Sequence, residues 1–168
     1  MTQPPDLPEQ AEIRRLIQVH ARQAGGLLPL LHAIQDHRGF VPPEAVGLIA
    51  QGMNLSRAEV HGVLSFYQHF RSAPPGRHVV QVCRAEACQA CGGEALMAHA
   101  QRLLACGDHE TRPDGAVTLE SVHCLGLCAS SPAIQVDDRL HARVTPDKLA
   151  RVLRSVGLIE TGSTEAQA

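Results

Sequence analysis

The chain has no tryptophan and very few other aromatic side chains. Phe40, Phe66, Tyr67 and Phe70 are all of them, so the sequence beyond Phe70 has no platform on which bases could stack. Positive charge is not in excess either: 15 Lys and Arg stand against 17 Asp and Glu, a formal net charge of −2. That balance excludes nucleic acid as the main partner, because a polyanion demands a basic face. No stretch approaches the roughly 20 apolar residues of a membrane span. The opening MTQPPDLPEQ lacks the basic-then-apolar pattern of a secretory signal. These absences point to the cytoplasm, without direct membrane insertion. Catalytic signatures are missing too. No G-x-G-x-x-G follows a strand, no H-E-x-x-H occurs, and no Ser/His/Asp or Cys/His arrangement suggests hydrolysis. The sequence therefore offers no substrate site of its own.

What it does have is an apolar content of 44% over 168 residues and six cysteines. That is enough for one ordinary domain or two small ones. In a reducing compartment such cysteines are metal ligands or redox groups before they are disulfides.

The pattern divides the chain. Residues 1–8 are proline-rich and expected to be loose. From Glu9 to about Ala24, Ile13, Leu16 and Ile17 form a helical stripe that Gly25-Gly26 ends. Leu28, Leu31 and Ile34 mark a second helix stopping before Gly39, and Pro42-Pro43 opens a short third one. Ser56-Arg-Ala-Glu59 is a capping box, with Leu55 and Val60 placed as a hydrophobic staple, and a helix to about Phe70 should follow. Residues 9–71 thus read as an all-α domain, with 72–77 (SAPPGR) as a linker. It is the natural docking arm, and SFYQHF can serve either an interface or the small helical core.

After the linker the period changes. His78–Val82 reads as a strand running into Cys83, Gly92 to about Ala105 as a helix, and Ala116–Val122 as a strand ending just before Cys124. Residues 133–136 and 140–143 flank the hairpin signal Asp137-Asp138-Arg139. Pro146 to about Val156 is a helix with Thr145 as N-cap. The order β-α-β-β-β-α spans residues 78–158, and 159–168 is expected to be a disordered tail.

Cys83 and Cys88 form C-x4-C, and Cys124 and Cys128 form C-x3-C, with about 35 residues between the pairs, room for a helix and a strand. Each pair lies at the C-terminal end of an expected strand, the edge of an α/β sheet where ligands bind. If the strands are parallel neighbours, the intervening helix is their crossover and the pairs meet. Four thiolates then suit an iron–sulfur cluster or a structural zinc. Gly126 would let the backbone approach the sulfurs, and a helix N-terminus near Cys88–Gly93 would add a positive dipole end. Zinc knuckles favour C-x2-C, which neither loop has.

Cys91 opens two alternatives. With Cys83 and Cys88 it completes C-x4-C-x2-C, the plant-type ferredoxin run, with Cys124 as fourth ligand. Cys88-Gln-Ala-Cys91 is also the context of a thioredoxin-like dithiol oxidoreductase. Against both stands the reading of Cys91 as a small buried residue on the first helical turn. Cys106, after the helix, reads as packing.

VQVCRAEAC and CLGLCASSPAIQVDD, with PLLHAIQDHRGFVPPEAV, SRAEVHGVLSFYQHF and RSAPPGRH upstream, resemble the thioredoxin-like 2Fe–2S subunit of respiratory complex I and its relatives. The resemblance covers about residues 29–156. Within that family the wording RAEAC, HGVLSFYQHFR and CLGLC is most similar to the gamma subunit of soluble NAD-dependent formate dehydrogenases. It implies an α/β, thioredoxin-like C-terminal domain, a mixed sheet with flanking helices, behind the small all-α domain. It implies one 2Fe–2S cluster on Cys83, Cys88, Cys124 and Cys128, with no ligand role for Cys91 or Cys106. It also implies an electron-transfer subunit that exchanges single electrons with a flavin and iron–sulfur subunit that binds NAD, alongside a molybdenum subunit that oxidises formate. The equivalent subunit of complex I or of an NAD-reducing hydrogenase is the alternative, and a dithiol oxidoreductase or a zinc-stabilised scaffold is the alternative of another class. In the complex I branch Glu or another residue commonly precedes CLGxC, where His123 stands here; a histidine beside the cluster could raise its potential and make it pH-dependent.

Overall fold

The computed structural model describes residues 8–160. The expectations of a loose N-terminus and a disordered tail lie largely outside these residues. The chain forms two compact units that part between Pro74 and Pro75.

The first unit is helical: α1 (Pro8–His20), α2 (Leu27–Arg38), a 3-10 turn (Pro43–Ala45), α3 (Val46–Met53) and α4 (Arg57–Phe66). Local signals mark the end of α2 and the start of α4. Pro29 falls in the first turn of α2, where a missing N–H costs nothing, and Gly39 closes that helix at φ 82. The Ser56 capping box is complete: Glu59 N–H donates to Ser56 Oγ at 3.2 Å and Ser56 N–H donates to Glu59 Oε2 at 2.7 Å. Ile13, Ile17, Leu30, Leu31, Ile34, Ile49 and Val60 are buried together as the core. Buried Gln35 ties down the end of the unit: its Nε2 donates to His69 O and its Oε1 accepts from Arg71 N–H, both at 2.8 Å.

Two boundaries differ from the sequence reading. α1 ends at His20, four residues early, because its apolar stripe has run out; Ala21 and Gln23 continue as hydrogen-bonded turns. α4 ends at Phe66, and Tyr67 leaves the helix at φ −89, ψ 97. The break lets Phe70 turn into the core while Phe66 stays 77% exposed. The aromatic run is thus divided between core and surface.

The second unit is a mixed five-stranded sheet in the order β2-β3-β1-β4-β5 with flanking helices. Its elements are β1 (His78–Cys83), α5 (Glu86–Ala90), α6 (Gly93–Leu104), β2 (Glu110–Thr111), β3 (Val117–Val122), β4 (Ile134–Val136), β5 (Arg139–His141) and α7 (Pro146–Ser155). The strand β1 lies parallel to β3, while β2–β3, β1–β4 and β4–β5 are antiparallel. The parallel pair needs a crossover, and α6 supplies it. Alternation along the strands separates two faces. Val80, Val82, Val117, Leu119, Ile134 and Val136 share one core with Leu96, Met97 and Ala100 of α6 and Leu149 and Leu153 of α7. The intervening Gln81, Thr118 and Glu120 pair among polar groups, with Gln81 Nε2 donating to Glu120 Oε2 at 2.9 Å. Thr145 caps α7 by accepting from Lys148 N–H. Ile159, expected in the tail, instead packs on this core.

Candidate metal centre

The β1–β3 register sets Cys83 opposite Val122 at the C-terminal ends of two adjacent parallel strands. The loops beyond these residues must therefore leave from one sheet edge. The edge is pinned on both sides: Arg84 N–H donates to Val122 O at 2.8 Å and Cys83 N–H to Ala133 O at 3.0 Å. Cys83 is the last residue of β1, Cys88 lies within α5, and Cys124 and Cys128 belong to the loop after β3.

The crossover helix α6 starts at Gly93, within one residue of the start expected from the sequence; the sequence reading did not find the separate short α5, inside which Cys88 lies. Five residues carry too little periodicity to reveal such a helix. The reading of Cys91 as a buried residue is also corrected. Cys91 closes α5 as its C-cap and is exposed, because the chain leaves the helix there before Gly92 restarts it at φ 89. Cys106 is buried in the sheet core, where its thiol donates to Glu110 O at 3.0 Å, and it takes no part at the edge.

The four paired cysteines form a graded site. Cys83 and Cys88 are each 2% exposed, in an apolar cluster with Ala133, Leu125 and Leu127. Cys124 and Cys128 are exposed, with their sulfurs 3.6 Å apart. Cys124 is held at φ 89, a left-handed conformation that costs about 1–3 kcal/mol in a residue with a side chain. Gly126 takes φ 76 at no such cost, and its N–H approaches Cys124 Sγ at 3.4 Å.

Electrostatics describe the same convergence. Burial alone would push the Cys83 thiol up, but the N–H groups of Ala85, Leu125 and Cys124, with the Cys88 side chain, bring it below its ordinary value. Cys128 is pushed up, chiefly by its hydrogen bond to Cys124 and that group's charge, with burial, Cys88 and Cys83 adding to it. Four thiolates here would repel one another, so the full set needs a cation to be held. Arg84, next to Cys83, is committed elsewhere: it donates to Glu94 at 2.7 and 3.0 Å and lies 3.5 Å from Asp108.

The donor set fits a two-iron cluster. It is all sulfur, it comes as two pairs, and backbone N–H groups point at the sulfurs to offset the negative charge of a thiolate-bound cluster. A single zinc would need its ligands gathered at about 2.3 Å from one point. Among the described residues, no three His, Cys, Asp or Glu side chains are gathered to hold one ion. No helix among these residues is long and apolar enough to cross a membrane.

A thioredoxin-like domain with such an edge defines a class of small iron–sulfur proteins. Residues 13–157 match the family described as Thioredoxin-like [2Fe-2S] ferredoxin, and the chain belongs to it. Its cofactor is accordingly a 2Fe–2S cluster, and it is an electron-transfer protein. The chain is 36% identical over 125 residues to a subunit of the NADH-quinone oxidoreductase of Pseudomonas aeruginosa, covering 74% of this chain and 75% of that one. It is 29% identical over 146 residues to the HndA subunit of the NADP-reducing hydrogenase of Solidesulfovibrio fructosivorans, covering 87% and 85%. Among solved structures it resembles an H2-reduced NAD+-reducing [NiFe]-hydrogenase, with a TM-score of 0.63 at 22% identity. That match covers 80% of this chain but 22% of the hydrogenase chain, and it speaks for the fold alone.

Proposed function

We propose that Cys83, Cys88, Cys124 and Cys128 hold the 2Fe–2S cluster, and that the chain is a cytoplasmic electron-transfer subunit of an NAD-dependent oxidoreductase. Its immediate partner is a flavin and iron–sulfur subunit that handles NAD. The observation that carries this reading is the convergence of the two cysteine pairs at one edge of the parallel β1–β3 pair. The names of the relatives support the setting, since they belong to NADH-quinone oxidoreductases and a hydrogenase.

When bound, the cluster accepts and releases one electron at a time. The chain supplies the rest. Leu125, Leu127 and Ala133 keep water from the inner sulfurs. The N–H groups of Ala85, Leu125 and Cys124 point at Cys83 and favour its thiolate against the cost of burial. The exposed loop 124–128 brings the outer sulfurs to the surface, where a partner can approach.

For the parent complex we favour formate dehydrogenase, with a molybdenum subunit oxidising formate. The wording of RAEAC, HGVLSFYQHFR and CLGLC supports that choice. The 36% identity to a complex I subunit favours the equivalent place in complex I as the second reading.

Serine substitution at each of the six cysteines tests the ligand set. Iron, acid-labile sulfide and the visible spectrum should collapse for Cys83, Cys88, Cys124 and Cys128 and persist for Cys91 and Cys106. A native spectrum with full iron in Cys88→Ser or Cys128→Ser would refute it. Affinity purification from the native host tests the parent complex. Formate-dependent NAD reduction in the eluate is expected, and activity with quinone or hydrogen alone would replace formate dehydrogenase.

A further inference from the structure

Ser131 stands between the two cysteine pairs, just after the 3-10 turn Cys128–Ser130. Its hydroxyl lies 3.5 Å from Cys88 Sγ, and it donates to Cys128 O at 2.9 Å. Cys88 comes from α5 on one side of the crossover and Cys128 from the loop on the other. One side-chain oxygen therefore touches the inner pair through a sulfur and the outer pair through a carbonyl. Both contacts lie within hydrogen-bonding range, sulfur accepting over longer distances than oxygen does.

A serine hydroxyl has one hydrogen and two lone pairs. While Cys88 carries its proton, the chain can run from the Cys88 S–H to Ser131 Oγ and from the Ser131 O–H to the Cys128 carbonyl. A cysteine that ligates metal does so as thiolate and can only accept. The Ser131 hydrogen then has two acceptors, the neutral carbonyl and a sulfur bearing negative charge. Each further negative charge at the site favours the sulfur, because hydrogen bonds to ionised acceptors are the stronger kind. Hydrogen bonds to cluster sulfurs are among the factors that set reduction potential. A donor held more tightly after reduction than before it stabilises the reduced form.

Resting on the ligand set proposed above, we infer that Ser131 is a positioning residue that donates a hydrogen bond to Cys88 Sγ and so raises the reduction potential of the site. Its place beyond the C-x3-C loop, and not between the cysteines, is why spacing alone does not reveal it.

The test is a redox titration of the reconstituted full chain, followed by its visible and electron paramagnetic resonance signals, for wild type, Ser131→Ala, Ser131→Thr and Ser131→Val. Thr and Val have nearly the same volume and differ by the hydroxyl. The expected result is a lower midpoint in Ala and Val by up to about tenfold in the reduced-to-oxidised ratio, ~59 mV for one electron. Thr should restore the wild-type value. Equal midpoints in Thr and Val, with full iron in both, would overturn the inference and leave the ligand set intact. Should neither Ala nor Val assemble a cluster, resonance Raman spectra of the wild type in H2O and D2O decide. A deuterium shift of an iron–thiolate stretch that Ser131→Thr shares with the wild type supports the hydrogen bond, and no shift overturns it. Full iron and a native spectrum in Cys88→Ser would instead sink the ligand set itself, a distinguishable failure.

Discussion

Gly93, the first residue of α6, is buried against both segments that carry the inner cysteines. A Cβ placed there would lie 2.8 Å from Cys88 O, 3.0 Å from Cys83 O and 3.0 Å from Cys88 C. Ordinary contacts to carbon begin at about 3.5 Å. All three neighbours are backbone, so no side chain can swing aside; β1 and α5 must move apart. Overpacking of this kind costs typically 1–3 kcal/mol. With two carbonyls met at once, the upper end applies. Alanine returns about 1 kcal/mol through its better helix propensity, leaving Gly93→Ala destabilised by about 2 kcal/mol. Gly62 provides the control: it lies inside α4 with nothing within 4 Å of its would-be Cβ. Gly62→Ala should therefore gain up to about 1 kcal/mol. Urea unfolding of both variants without cluster, read by circular dichroism, measures the difference. Iron per chain after reconstitution should fall for Gly93→Ala alone, because the displaced carbonyls belong to Cys83 and Cys88. A Gly93→Ala protein as stable as wild type, with full iron, would refute the packing argument.

Two further outcomes follow from the same reasoning. Gln35→Ala removes two hydrogen bonds, the one it donates to His69 C=O and the one it accepts from Arg71 N–H; it should cost about 2–3 kcal/mol, and thermal unfolding of the helical unit at an unchanged midpoint would count against it. Asp114 is held down to about 2 by its hydrogen bond with Arg112, and then by Ala116 N–H. Its carboxylate is favoured in the folded state. The stability it contributes is therefore complete above the ordinary carboxylate value, near 3.9, and is lost as pH falls from there through about 2. The melting-temperature difference between wild type and Asp114→Asn should be flat above about pH 5 and close between about pH 4 and 2; a difference that persists unchanged at pH 2 would contradict the assignment.

The parts of this fold that a reader of the sequence can find are those with strong local chemistry. Ser56 and Glu59 announce a helix start because both donors and both acceptors sit within four residues. Thr145 with Pro146 does the same for α7. Strands β1 and β3 show as apolar alternation running into cysteine, and their parallel pairing follows from the helix between them. What stays hidden is short or depends on distant packing. β2 is an edge strand of two residues, Glu110 and Thr111, fixed by pairing with β3 and not by any pattern of its own. α5 is too brief to show a period, so the burial of Cys88 and the exposure of Cys91, three residues apart, could not be separated. The role of Ser131 depends on a contact 43 residues away in the chain.

The burial gradient across the four sulfurs makes the two ends of the site unequal. Cys83 and Cys88 face protein, whereas Cys124 and Cys128 face water. Water screens negative charge at the outer pair, whereas at the buried pair backbone N–H groups and the Ser131 hydroxyl must do so. With the cluster held on the four cysteines as proposed, the outer loop would be a redox partner's shortest route for an electron, and the side that dissolved oxygen and competing metals would reach first. Speed of exchange and fragility in air would then be one property, set by how deeply residues 124–128 are covered, and a partner subunit seated over that loop would protect the centre by the same contact through which it draws current.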